Sequence, residues 1–267
     1  MVNLKNKIAV VFAASGAIAG AVAQSLAQNG AKVYVTGKDF DEVAMLAHDI
    51  KQQGGWAEPH KVDALNENDI DAVFKKIVSE NGQIDIVFNG IGIRPSQSQY
   101  GTPSTVVTYE NFLKPLTTIV GSQFLTSRAA AKYMTETKTQ GTILMLTSSL
   151  SRSKIPFMAG VTAASTGVEG LTRCLAAEFG MMGIKVICIN PTGLSETRTI
   201  QETSAANAAT IGIPVEAFAG ELNKGYLTGQ RPSLSQVGEV AAFLVSDAGA
   251  VLNSHIVDVD FGYRGVI

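Results

Sequence analysis

The strongest constraint in this chain is a regular alternation between short apolar runs and amphipathic stretches. "KIAVVFAA" (residues 7–14) reads as a buried strand, and "IAGAVAQSLAQNGA" (18–31) has helical spacing with Gly30 as its stop. "KVYVTG" (32–37) and "FDEVAMLAHDIKQQGG" (40–55) repeat the pair, as do "WAEPHKVDA" (56–64) and "ENDIDAVFKKIVSENG" (67–82). "IDIVFNGIG" (84–92) is the fourth strand, and residues 109–137 read as one long helix. "GTILMLTSS" (141–149) precedes a helix within "GVTAASTGVEGLTRCLAAEF" (160–179). "IKVICINPTG" (184–193) is the sixth strand, "VGEVAAFLVSDAG" (237–249) a helix, and "SHIVDVDFG" (254–262) the last strand. Seven strands with helices between them predict a single α/β domain over 1–267, a doubly wound parallel sheet of Rossmann type with helices on both faces.

Composition agrees with that arrangement and excludes several functions. Of 267 residues, 46% are hydrophobic and 16% charged, which suits a sheet buried on both faces. A net charge of -2 without a long basic run leaves no nucleic-acid footprint. Cys174 and Cys188 are too few for a disulfide framework and are expected as buried free thiols. His48, His60 and His255 are scattered, so no metal site is expected. Lys5 and Lys7 followed by the uncharged run 8–23 imitate a secretion signal, but Ser15 and Gly16 interrupt it. No stretch reaches the roughly 18 uninterrupted apolar residues of a membrane span, and a cytoplasmic protein is expected.

"DIVFNGIG", "TILMLTSS", "GVEGLTRCLAAEF", "VICINPTG" and "VGEVAAFLVSDAGAVLNSHIVDVDFG" follow one another in an informative order and spacing. Over nearly its whole length the chain resembles the short-chain dehydrogenase/reductase family. The resemblance implies hydride transfer between a nicotinamide and a carbonyl or alcohol on a small-molecule substrate. It also implies a homo-oligomer, dimer or tetramer, built through helices like 111–137 and 161–181. In that family a tyrosine exchanges the substrate proton, a lysine four residues on lowers its pKa, a serine hydrogen-bonds the substrate oxygen, and an asparagine holds a relay water. A phenol with its ordinary pKa near 10 is a poor base at neutral pH without such a cation. Here the serine position is Ser148, but the tyrosine, lysine and asparagine positions fall on Val161, Ser165 and Ile119. The tyrosines of the chain (Tyr34, Tyr100, Tyr109, Tyr133, Tyr226 and Tyr263) are not near that helix in the sequence.

The family's first loop, Thr-Gly-x-x-x-Gly-x-Gly, lets backbone amides approach a pyrophosphate at a helix N-terminus. Laid on this chain, it falls on Phe12, Ala13, Ala17 and Ala19, with alanine at every glycine. Left-handed backbone costs a residue other than glycine about 1–2 kcal/mol; a register using Gly16 and Gly20 is the alternative. Ser15, Gly16 and Ile18 are then the candidates to meet the pyrophosphate. Lys38 stands where an acid would bind the ribose of NAD, and its charge suits the 2'-phosphate of NADP(H). NAD(H) is the alternative, and neither binds if the altered loop has lost the phosphates. Asp63 matches the adenine-contacting aspartate, Asn89, Gly90 and Gly92 the strand end beside the adenosine ribose, and Pro191 the nicotinamide side. Thr192 adds a side chain after that proline. The plain alternatives are a surface lysine at Lys38 and a strand-end cap at Asp63.

Ser148, Ser149, Ser151, Arg152, Ser153 and Lys154 form a polar cluster beyond the fifth strand. Ser148 is the candidate donor to a substrate carbonyl, and Lys154 the candidate replacement for the missing cation. Arg94 is either an anion clamp or an exposed loop residue. Residues 195–231, small and weakly apolar, take the place of a substrate lid and predict a mobile cover. Three functions follow. The first is an NADP(H)-binding oxidoreductase with a non-standard proton donor. The second is a non-redox lyase, isomerase or cyclase on the same scaffold. The third is an inactive binding or partner subunit.

Overall fold

The computed structural model describes residues 2–264. Its strands are β1 (Ile8–Phe12), β2 (Lys32–Gly37), β3 (Trp56–Lys61), β4 (Ile86–Asn89), β5 (Thr142–Leu146), β6 (Lys185–Pro191) and β7 (Ile256–Val259). They form one sheet in the order β3-β2-β1-β4-β5-β6-β7, each pair parallel. The order reverses beside β1, and the crevice at the carboxyl ends of β1 and β4 is where such sheets bind ligands.

Successive residues of β1 feed opposite cores, as strand geometry requires. Ala9 and Val11 pack under α1 (Ala17–Gln28), α2 (Phe40–Gln52) and α9 (Leu234–Leu244). Ile8, Val10 and Phe12 pack under α3 (Glu67–Asn81), α5 (Gly121–Glu136) and α6 (Ala159–Gly180). Side-chain caps set several helix starts: Asp39 accepts from Asp41 and Glu42 N–H, Asn66 from Asn68 and Asp69, and Ser233 forms a capping box with Gln236.

One expectation, the burial of both cysteines, is corrected, and the expected helix over 109–137 is present as α4 (Tyr109–Pro115), a π turn (Leu116–Val120) and α5 in unbroken succession. Pro115 lacks the N–H that a regular helix needs, and the widened turn absorbs the defect. Cys174 is exposed on α6, while Cys188 is buried in β6, where burial raises its thiol pKa to about 12. Residues 195–231 carry α7 (Arg198–Ile211) and α8 (Val215–Asn223). Among the described residues no helix is long and apolar enough to cross a membrane.

Candidate active site and nucleotide edge

The loop after β1 keeps the backbone that its missing glycines would have supplied. Ala13 has φ 55°, in the left-handed region, and its carbonyl accepts from Gly16 N–H at 2.9 Å. Gly16 caps α1 through its backbone alone, so the first-turn N–H groups of Ala17 and Ile18 have no intrahelical acceptor. Ala17 lies at the first helical position, where a methyl costs nothing. Ala19 faces Gly90, and a Cβ on Gly90 would come 2.6 Å from the Ala19 methyl. The methyl gained on one side of this contact is matched by a side chain lost on the other. The helix start and the left-handed Ala13 follow the alanine register rather than the Gly16/Gly20 alternative.

At the end of β2, Gly37 is buried, and a Cβ there would lie 3.8 Å from Ser15 Oγ. Lys38 reaches across to β3, where its Nζ lies 2.9 Å from Asp63 Oδ2. Asp63 Oδ1 also accepts from Leu65 N–H at 2.9 Å, so its strand-end cap is real. Burial raises the Asp63 pKa, but the Leu65 N–H and the Lys38 ammonium outweigh it and hold the carboxyl below its ordinary value. Asp39 is occupied in capping α2.

Asn89 is fully engaged at the end of β4: Nδ2 donates to Thr126 Oγ1 at 2.9 Å, and Oδ1 accepts from Ile91 N–H at 2.9 Å. Gln123 bridges the ends of β4 and β5 by donating to the carbonyls of Asn89 (3.0 Å) and Leu146 (3.2 Å). An open cleft of about 530 Å³ begins at Ser15, Gly16 and Ala17 and runs outward between α1, α2 and α9, past Glu42, Asp49 and Glu239. Its acidic wall, Glu42, Asp49 and Glu239, disfavours phosphate in the outer part of the cleft.

On the other side of the crevice, Ser148 Oγ lies 2.8 Å from Ser165 Oγ, joining the family's serine and lysine positions by a neutral hydrogen bond. Val161 is buried with Met158 and Tyr100, and Ile93, Ile119, Leu150 and Ile155 close around them. The positions expected to carry the tyrosine and the asparagine are thus packed in hydrocarbon. Tyr100, distant from this helix in the sequence, is brought beside Val161 by the fold. Its signal in the sequence was an aromatic closing the polar loop "GIRPSQSQY" after β4.

Lys154 is exposed and makes no hydrogen bond or ion pair among the described residues, so it does not join Ser148. Arg94 is exposed at the head of a short 3-10 turn, in the plain loop role. Arg152 forms a two-pronged ion pair with Asp258 on β7, and Asn190 Nδ2 donates to the same carboxylate at 3.0 Å. Pro191 ends β6 opposite Val259. Thr192 is buried, and its hydroxyl stands 3.3 Å from both Ser149 Oγ and Tyr226 OH. Its side chain is drawn into a chain of hydroxyls, and Tyr226 was missed because it comes from the cover.

A family profile described as enoyl-(acyl carrier protein) reductase matches residues 12–264. Tropinone reductase-like 1 of Erythroxylum coca is 33% identical over 99% of this chain and 92% of its own. Among solved structures, NAD+-bound xylitol dehydrogenase superposes with a TM-score of 0.90 at 20% identity, covering 97% of this chain and 99% of that one. An actinorhodin polyketide ketoreductase with NADPH superposes with a TM-score of 0.87 at 22% identity, covering 99% of both chains. The chain belongs to the short-chain dehydrogenase/reductase family of oxidoreductases.

Proposed function

We propose that the protein is an NADP(H)-binding oxidoreductase acting on a small carbonyl or alcohol with a non-standard proton donor. The observation that carries the cofactor assignment is Lys38 beside the side-chain-free Gly37 and Ser15, at a strand end where Asp39 caps α2 and Asp63 accepts from Leu65 N–H. A 2'-phosphate offers the lysine a dianion in place of the single charge of Asp63, and offers the serine hydroxyl an acceptor. The left-handed Ala13 and the uncapped start of α1 support a pyrophosphate site that has survived the loss of its glycines.

When bound, the cofactor supplies the hydride. Ser148 then donates to the carbonyl oxygen while Ser165 holds its hydroxyl in place. Among the described residues no charged group hydrogen-bonds to that pair, so the proton comes from solvent. Calorimetric titration tests the reading. NADPH should bind more tightly than NADH, and Lys38→Ala should cost NADPH about tenfold, the effect of roughly 1.4 kcal/mol. Binding of neither nucleotide at millimolar concentration refutes it.

The apolar packing of Val161, Met158 and Ile119 favours a second reading, a nucleotide-binding subunit without hydride transfer. Val161→Tyr with Ser165→Lys separates the two readings. Reductase activity appearing only in that double variant would assign the natural chain to the second.

A further inference from the structure

Outward from the loop after β1, the cleft of about 530 Å³ becomes a trough whose floor is one stripe of α1. The stripe runs from Ala17 through Gly20, Ala21 and Ser25 to Gln28, about 16 Å at 1.5 Å per residue. On the α2 wall, Glu42 and Asp49 are two turns apart, about 10 Å along the axis, with Met45 and Leu46 between them. Glu239 stands on the α9 wall with Leu234. No lysine or arginine lines the trough. Among the described residues Glu42 and Asp49 form no ion pair, and the Glu239 carboxylate accepts only from Ser235 Oγ at 3.2 Å.

Ser25, on the floor, is only 6% exposed. Thr126 in α5 and Thr172 in α6, also buried, each turn the hydroxyl back onto the carbonyl four residues earlier at 2.8 Å. Ser25 Oγ makes no such bond, and among the described residues it has no hydrogen-bond partner. A hydroxyl so enclosed and unpaired costs stability that a ligand can return.

Three carboxylates around one trough without a cation repel one another and attract positive charge. Their spacing decides what kind of cation fits. A metal ion draws its ligands into a single shell, and Glu42 and Asp49 are too far apart along α2 to share one. Among the described residues no group of three metal-ligating side chains occurs. Two ammonium groups joined by a chain of methylenes meet both acids, and the methylenes lie on Met45, Leu46 and Leu234 in between. We infer that the trough binds a linear aliphatic polyamine, with its ammonium groups on Glu42, Asp49 and Glu239 and one N–H donated to Ser25 Oγ. The site lies outward of the nucleotide loop and does not require a nucleotide.

Calorimetric titration of the nucleotide-free protein at low ionic strength compares spermidine, 1,8-diaminooctane, 1,4-diaminobutane and octylamine. The first two span the interval between the acids, the third is too short, and the fourth carries one charge. Spermidine and 1,8-diaminooctane should bind at least about tenfold more tightly than the other two. Glu42→Gln with Asp49→Asn, both at exposed positions, should bring spermidine down to the level of 1,4-diaminobutane, and Ser25→Ala should weaken it several-fold. Melting temperatures confirm that each variant is folded. Equal affinities across the four amines would mean attraction to surface charge alone and would overturn the site. So would absence of binding at millimolar spermidine, or unchanged spermidine affinity in the double variant.

Discussion

At Ala13 the chain holds a left-handed backbone that glycine would adopt freely. Ala13→Gly should therefore stabilise the fold, because relief of about 1–2 kcal/mol exceeds the 0.4–1 kcal/mol, roughly, of added freedom in the unfolded chain. The check is thermal unfolding, with a rise of one to a few degrees expected; a lower melting temperature contradicts the strain. Gly90→Ala should do the opposite, costing about 1–3 kcal/mol as its methyl meets Ala19. Adding Ala19→Gly should recover part of the loss, and a double-mutant cycle should show coupling above about 0.5 kcal/mol. Additive losses would mean that the contact relaxes freely. The departures at Ala13, Val161 and Ser165 were legible in the sequence because each sits at a fixed place in a motif. Their consequences were not. That Ala13 keeps the turn, that Gly90 makes room for Ala19, and that Tyr100 comes to Val161 are contacts between distant segments, which no local pattern encodes.

Among the elements, strands and most helices were readable because β-branched runs and glycine stops bound them on both sides. The helix over 109–137 was readable at its full extent, but the π turn that follows Pro115 was not, because apolar spacing continues through the proline while the regular hydrogen-bond ladder does not. The two helices of the cover were not foreseen in residues 195–231, whose small side chains give a weak period. The ion pair between Lys38 and Asp63 follows from sheet register, since Gly37 lies opposite Lys61 and the two strand ends emerge side by side. Helix packing gives a further prediction. A Cβ on Gly238 of α9 would come 2.6 Å from Ala21 O in α1, a backbone atom that cannot swing aside. Gly238→Ala should lower stability by about 1–3 kcal/mol in denaturant unfolding, although alanine favours helix; a neutral or stabilising result would show that the two helices can spread.

Over the whole molecule, two groups kept protonated in the interior set an alkaline limit. Burial raises the Cys188 thiol from 9.0 to about 12, and burial together with Asp71 raises the Tyr133 phenol from 10.0 to about 12. A folded pKa above the unfolded one gives stability that is complete below the unfolded value and lost as pH rises through the folded one. The denaturant midpoint should hold up to about pH 9 and fall between there and pH 12, and Tyr133→Phe should make that fall shallower. A flat profile across this window would mean that the interior opens before these groups titrate. The fit of Ala19 against Gly90 also makes two distant positions a single choice: the methyl on α1 fills the room that a side chain after β4 would need, so either place can be enlarged only while the other stays small.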